Sequence, residues 1–345
     1  MIKSTISVDD IHRAAKRIAP YIRPTPILEN ERLNELLGLR LLVKAECLQY
    51  SQAFKLRGCL NNLIQMDESK VDEGRIWRGV CAGSAGNHAQ SLAMAGQWLC
   101  RPVTILMPLD APDIKVKRTK DCGALIRFYN RDMEDRDVLV QELVEREGYA
   151  HIHSYNNLRT IAGQGTIGLE IHDYSREHDI GIDAIVVNCS GGGLSAGVAL
   201  SRDLYRHPPG IYTAEPEGFD DARRSFESGK IEMNDRRSGS ICDALLMPKL
   251  GDLTFPILRT HKVSGFVASD CEVMAAIHIA YRAFDNLVVE PGGAVALASI
   301  IRNRNMFPGQ TVVAIASGGN IDADMHASYM REGKALSRSL WNLDI

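Results

Sequence analysis

The first group in this chain with an obvious covalent chemistry is a lysine set between an aromatic residue and the start of a helix. The stretch Ala53-Phe54-Lys55-Leu56-Arg57-Gly58 leads into the helix-forming run Leu60, Asn61, Asn62, Leu63, Ile64. A helix N-terminus disfavours a cation, so a lysine there loses its proton more readily. A neutral amine is what Schiff-base chemistry requires. Taken alone, the segment also fits an ordinary amphipathic lysine. Two further segments strengthen the chemical reading. In Ser84-Ala85-Gly86-Asn87-His88-Ala89-Gln90, small residues after the apolar run Val80-Cys81-Ala82 end a strand and open a helix. The N–H groups freed there suit an anion. In Ser190-Gly191-Gly192-Gly193-Leu194-Ser195, three successive glycines let the backbone curl into a nest of N–H donors around a phosphate. A tight turn without a ligand fits either segment by itself.

Two later segments complete a pattern: Glu290-Pro291-Gly292-Gly293-Ala294, and Ala316-Ser317-Gly318-Gly319-Asn320 after the strand-like run Val312 to Ile315. In this order and spacing the five segments resemble the fold-type II pyridoxal-phosphate enzymes, in the threonine/serine dehydratase and serine racemase branch. The resemblance runs from about Asp9 to Asp324. It implies an α/β fold of two open twisted sheets with helices on both faces and the cofactor in the interdomain cleft. Residues 1–71 and 151–330 would form a large cofactor-binding lobe, residues 72–150 a small lobe, and residues 331–345 a C-terminal tail.

The resemblance also assigns roles. Lys55 would hold pyridoxal 5'-phosphate covalently and, once freed, take the substrate Cα proton. Phe54 would cover one face of the ring. Ser190 with the amides of Gly191, Gly192, Gly193 and Leu194 would hold the phosphate, Asn87 the ring hydroxyl, and Ser317 the pyridine nitrogen. Ser84, counted with Lys55 as catalytic, would meet the substrate together with Ala85, the amides near His88, and Arg136. Arg136 lies in a charged run (Arg131, Asp132, Glu134, Asp135) that equally suits a solvated helix. A neutral hydroxyl at Ser317 does not enforce a protonated ring nitrogen, which suits β-elimination and disfavours transamination. Racemases of the branch carry a second serine where this chain has Ala85, and racemisation needs proton-moving groups on both faces. Glu215, Asp221 and the carbonyl of Phe219, in Glu215-Pro216-Glu217-Gly218-Phe219-Asp220-Asp221, resemble the family's divalent-cation loop for Mg²⁺, Mn²⁺ or Ca²⁺. A solvated acidic loop fits the same residues.

Ser190 stands where a fourth glycine is common, and its hydroxyl can still donate to the phosphate. The departures that bear on the substrate are Ala53 where serine is usual, the unusual Tyr50-Ser51-Gln52, and Ala244 where dehydratases often have glycine, in a loop with Cys242 and Met247. The resemblance implies dehydration of an L-β-hydroxy amino acid, L-threonine or L-serine first, to a 2-oxo acid and ammonia. A 3-hydroxyaspartate dehydratase and a serine racemase are the alternatives. A Rossmann-type nucleotide module would explain the glycine loop but leave Lys55 unused.

These residues need a scaffold, and 345 residues are enough for one large or two medium domains. A net charge of −3 argues against nucleic acid or an anionic membrane as partner. No apolar run reaches the length of a membrane span. Asp9, Asp10 and Arg13 arrive too early for a signal peptide. Eight scattered cysteines without a C-x-x-C pair favour reduced thiols in a cytoplasm. The family implies a small amino-acid substrate and a homodimer. Along the chain, Ser7 to Asp10 has capping-box spacing before Ile11, Ala14, Ala15 and Ile18. Arg23-Pro24-Thr25-Pro26 forces an extended path, and Leu41-Leu42-Val43 reads as a buried strand. Strands are expected at 79–82, 103–107, 124–129, 185–187, 211–214 and 312–316, alternating with helices, an α/β pattern. The charged segment from about Met325 reads as a peripheral helix.

Overall fold

The computed structural model describes residues 6–73, 77–111, 113–130 and 132–344. Its strands, in chain order, are β1 Ile27–Glu29, β2 Arg40–Lys44, β3 Gly79–Gly83, β4 Val103–Pro108, β5 Leu125–Tyr129, β6 Tyr149–His151, β7 Ala184–Asn188, β8 Gly210–Pro216, β9 Ser264–Ala268 and β10 Thr311–Ile315. They form two sheets. The larger has the order β1-β2-β10-β7-β8-β9, parallel except for the antiparallel β1–β2 edge. The smaller, β5-β4-β3-β6, is parallel throughout.

Why these runs make parallel strands follows from their side chains. Successive residues of a strand point to opposite faces. Ala184, Val186, Val312 and Ala314 enter one apolar cluster, whereas Ile185, Val187, Val313 and Ile315 enter another across the sheet. Both faces are therefore covered by helices, the condition in which parallel sheets are found. The smaller sheet repeats the pattern, with Val80 and Ala82 on one side and Cys81 on the other. Strands β1, β6 and β9 have no counterpart in the sequence reading. Two are three residues long, and β9 is mostly half-exposed and contains Gly265, so their apolar signal is weak.

The helix Val8–Ile18 carries the expected capping box, with Ser7 N donating to Asp10 Oδ2 at 2.9 Å, and buries Ile11, Ala14 and Ile18. The helix Lys55–Glu73 begins on the reactive lysine itself. Its Leu56, Cys59, Leu60 and Leu63 lie in the apolar core of the smaller sheet, although the sequence reading placed residues 1–71 wholly in the large lobe. This helix thus joins the two sheets. A second correction concerns the C-terminus. The helix Ala323–Trp341 packs along Asp270–Ala283, and Trp341 and Leu343 belong to the core of the larger sheet. Residues 331–344 are accordingly docked on the larger lobe through Trp341 and Leu343, while Leu340 stays exposed. All eight cysteines are free thiols, and no helix among the described residues is long and apolar enough to cross a membrane.

Candidate active site

Five chain segments converge where the strand ends of the two sheets face one another. Phe54 N donates to the Ser317 carbonyl at 3.1 Å, and Ala53 bridges Gly318, so the lysine loop is tied to the turn after β10. Lys55 is half-buried, with its Nζ 4.8 Å from the Phe54 ring centroid and donating to the Ser154 carbonyl at 3.0 Å. Burial pushes its ammonium down to about 8, and the nearby Cys59 opposes this only in part. Desolvation, rather than the helix dipole invoked from sequence, is the main cause. Below the lysine, the fully buried Arg57 is clamped by Glu46 and Glu170, with Thr166 adding a hydrogen bond. This fixes the helix, and therefore the origin of the Lys55 side chain.

The turn after β3 supplies the small-lobe side. Ser84 Oγ accepts from Gly86 N at 3.4 Å and closes the turn, while the half-buried Ala85 packs on the small-sheet core. Asn87 opens the helix Asn87–Trp98. Its Nδ2 donates to Glu290 Oε1 at 2.5 Å and its Oδ1 accepts from Asn320 Nδ2 at 2.8 Å. Asn87 is thus oriented by two groups of the large lobe. Burial raises Glu290 to about 7, with the Asn87 hydrogen bond working against it.

The side chain of His88 leaves the mouth of the turn. It turns into the small-lobe core, with Nε2 2.8 Å from the Ile152 carbonyl and Nδ1 3.6 Å from Cys59 Sγ. Burial, then Lys55, lowers it to about 3, so the ring is neutral. Arg136 opens the helix Arg136–Glu147 and lies against Gly83, where a Cβ would meet its Cδ at 2.6 Å. Its guanidinium pairs with the exposed Asp137 at 2.8 Å. Arg136 therefore borders the turn that carries Ser84 and is not a freely solvated helix residue.

The glycine loop follows β7. Gly192 has a φ of +86°, the left-handed conformation that glycine adopts without cost, and caps the helix Gly193–Ser201. No side chain caps that helix start, which leaves its first amides for an anion. Cβ atoms at Gly191 and Gly193 would run into Tyr155, and one at Gly192 would lie 2.8 Å from Thr254 Oγ1. Ser190 Oγ accepts from Met247 N at 3.3 Å and keeps its own proton to donate. Leu194 is buried in the core of the larger sheet. Ser317 is positioned by Asn188, whose Nδ2 lies 3.0 Å from Ser317 Oγ and also donates to the carbonyls of Gly293 and Ile315. An anion nest, a depressed lysine and a neutral hydroxyl thus occur together, the donor set that a phosphorylated pyridine aldehyde needs.

The acidic loop stands apart. Glu215 is fully buried and accepts from the amides of Ala222 and Arg223 at 2.9 and 2.8 Å. Asp221 Oδ1 accepts from Asn234 Nδ2 at 2.6 Å, and its buried Oδ2 has no partner. Burial first, then the neighbouring Asp221, pushes Glu215 well up, and burial raises Asp221 to about 7. Phe219 is buried at the turn between them. Among the described residues, no group of three or more His, Cys, Asp or Glu side chains is arranged to hold a metal ion.

Sequence reasoning missed Asn188, the orienting role of Glu290, and the segment His153-Ser154-Tyr155-Asn156. Asn188 was legible in principle, as a polar residue ending the apolar run before the glycines. The 153–156 segment carries a weaker signal, a run of polar and aromatic residues between β6 and the helix Leu158–Glu177.

Fold and site together define a class: a two-sheet α/β protein whose residues fit pyridoxal phosphate between its sheets. A family model described as "Pyridoxal-phosphate dependent enzyme" matches residues 18–318. Curated relatives include an L-threo-3-hydroxyaspartate ammonia-lyase from a Pseudomonas species, 35% identical over 94% of this chain and 98% of its own. A serine racemase of Arabidopsis thaliana is 36% identical over 93% and 95%. Among solved structures, maize serine racemase superposes with a TM-score of 0.85 at 33% identity, covering 94% of this chain and 97% of its own. A T.th. threonine deaminase gives 0.84 at 35%, over 92% and 99%. The chain belongs to the pyridoxal-phosphate dependent enzyme family, in its fold-type II branch of ammonia-lyases and racemases.

Proposed function

We propose that this protein eliminates water from an L-β-hydroxy amino acid, L-threonine or L-serine first, releasing a 2-oxo acid and ammonia. Pyridoxal phosphate, when bound, supplies the electron sink for negative charge at Cα. Lys55 holds it and then carries the Cα proton, a task suited to an amine lowered to about 8. The nest of Gly191, Gly192, Gly193 and Leu194, with Ser190, anchors the phosphate. Asn87 fixes the ring tilt, Phe54 covers a ring face, and Ser317, held by Asn188, faces the ring nitrogen as a neutral partner. Ser84, the turn amides up to His88, and Arg136 receive the substrate carboxylate.

One feature supports the reading: Lys55 supplies an amine with a lowered pKa, and the turn after β3 has the hydroxyl-free Ala85 where racemases of the branch carry a second serine. Elimination needs one proton-moving face, whereas racemisation needs two. A second reading, dehydration of 3-hydroxyaspartate, would give Arg136, beside Gly83, to the side-chain carboxylate and leave the α-carboxylate to Ser84 and the turn amides. The names of relatives point the same way. The substrate is resolved by oxo-acid release from L-serine, L-threonine and L-threo-3-hydroxyaspartate, with chiral chromatography of the serine pool. Substantial D-serine formation would displace the dehydratase reading. Glu215, Asp221 and the Phe219 carbonyl are proposed to take Mg²⁺, Mn²⁺ or Ca²⁺, the buried and unpartnered Asp221 Oδ2 being the supporting feature. The proposed assembly is a homodimer and the proposed compartment the cytoplasm.

A further inference from the structure

Away from the cleft, a cavity of about 480 Å³ opens between the helices Glu31–Leu37, Asp270–Ala283 and Ala323–Trp341. Arg32, His278, Arg282, Lys334, Arg338 and Asp344 line it, four permanent cations against one carboxylate. His278 and Arg282 are four residues apart on one helix, as are Lys334 and Arg338 on the other, so each pair shares a helix face. Gly333 brings the two faces together. A Cβ there would strike the Met274 carbonyl and come within 2.9 Å of His278 Cβ. The helices therefore hold like charges close to one another, an arrangement that repulsion opposes.

The partners present only partly satisfy this cluster. Arg338 binds Asp344 Oδ1 through Nε and Nη2, at 3.0 and 2.7 Å, and Arg32 Nη2 donates to the Asp344 carbonyl at 3.3 Å. Among the described residues, Arg282 and Lys334 have no carboxylate within ion-pair distance. An independent feature lies in the wall. His278 is 5% exposed, and its buried Nδ1 has no hydrogen-bond partner. Burial pushes its imidazole down, and Arg282, Lys334 and Arg338 push it further, against a backbone hydrogen bond with Met330.

We propose that this cavity binds a small polyanion carrying two or more phosphate or carboxylate groups, and that Asp344 fills part of the site in its absence. Its volume lies within the usual range of small-molecule sites, roughly 300–1,000 Å³. Four cations from three helices suit spaced oxyanions better than a single monovalent ion, since each guanidinium can take a phosphate or carboxylate oxygen pair. The site lies outside the catalytic cleft, so its occupancy can be read by binding alone.

The test is isothermal titration of the cofactor-loaded protein with sodium tripolyphosphate and, separately, with citrate, in metal-free buffer. The tighter probe identifies the phosphate or the carboxylate class. Saturable binding that weakens as sodium chloride is raised is expected. The double variant Arg282→Gln/Lys334→Gln should weaken it about tenfold, the scale of two exposed charge contacts. Charge reversal by Lys334→Glu, on an exposed side chain, should weaken it too. Asp344→Asn should tighten it by removing the internal competitor. These variants leave both the phosphate nest and the Glu215–Asp221 loop intact, so binding at either of those places would persist in all of them. Equal affinity in the parent and the double variant, or no saturable heat with either probe, would overturn the proposal.

Discussion

At the scale of single residues, the site turns on how the surroundings change two side chains. Lys55 is a better nucleophile because its charge is poorly solvated. A lowered value means a larger neutral fraction at any given pH. Cofactor uptake by the stripped protein should therefore accelerate as pH rises, with a midpoint at about 8 and not near 10.5, followed by visible absorbance. Lys55→Ala should abolish both the covalent link and turnover, and borohydride reduction with peptide mapping should label Lys55 alone. Ala85 acts through a group it lacks. Ala85→Ser adds a hydroxyl on the turn after β3, and a well-placed general acid contributes about 10²–10⁴-fold. The variant should gain D-serine formation measurable by chiral chromatography, below that ceiling because nothing around the new hydroxyl tunes it.

Elements contribute by packing and by what their ends leave unsatisfied. Glu215, near the end of β8, reaches the amides that open the helix Asp221–Ser228, beside Asp221, and such buried carboxyls are costly unless a cation neutralises them. Mg²⁺ bound only to the folded state stabilises it by about 2.7 kcal/mol roughly a hundredfold above its Kd. Chelation of metal-loaded protein should thus lower Tm, added Mg²⁺ should restore it, and Asp221→Ala should remove the response. A melting curve indifferent to chelator would leave the loop merely acidic. Gly333 is the corresponding point for the C-terminal helix. Gly333→Ala inserts a methyl group against the Met274 carbonyl, and overpacking of this kind costs about 1–3 kcal/mol, measurable by chemical denaturation.

At the scale of the whole molecule, several polar contacts among the described residues cross between the lobes. Asn87 reaches Glu290 and Asn320, Arg118 Nη1 donates to Asn320 Oδ1 at 3.3 Å, and Lys115 Nζ lies 2.5 Å from Asp243 Oδ2. The last pair joins the helix Asp113–Asp121 beside the smaller sheet to the 240–247 loop, and Asp243 is largely exposed. An exposed ion pair is worth about 0.2–1 kcal/mol. Asp243→Asn should raise KM about 1.5- to 5-fold and leave kcat nearly unchanged, since the pair biases closure without touching the reacting atoms. Steady-state kinetics decides this, and a fall in kcat at constant KM would contradict it.

The family and most of the architecture were legible in the chain itself. Val80 to Ala82, Ile185 to Val187 and Val312 to Ile315 are apolar at every position because both faces of a parallel sheet are covered, and that signal is local. Gly191, Gly192 and Gly193 announce an anion nest for an equally local reason, the backbone freedom of glycine. Tertiary structure alone decided the rest. His88 has the same neighbours in sequence whether it faces substrate or core, and only the approach of Cys59 and Ile152 sends it inward. Asn188 becomes the anchor of Ser317, and Glu290 that of Asn87, through contacts between residues more than a hundred positions apart. The cationic cavity depends on Gly333 letting two helices touch, a close approach between segments that no periodicity in either one could reveal.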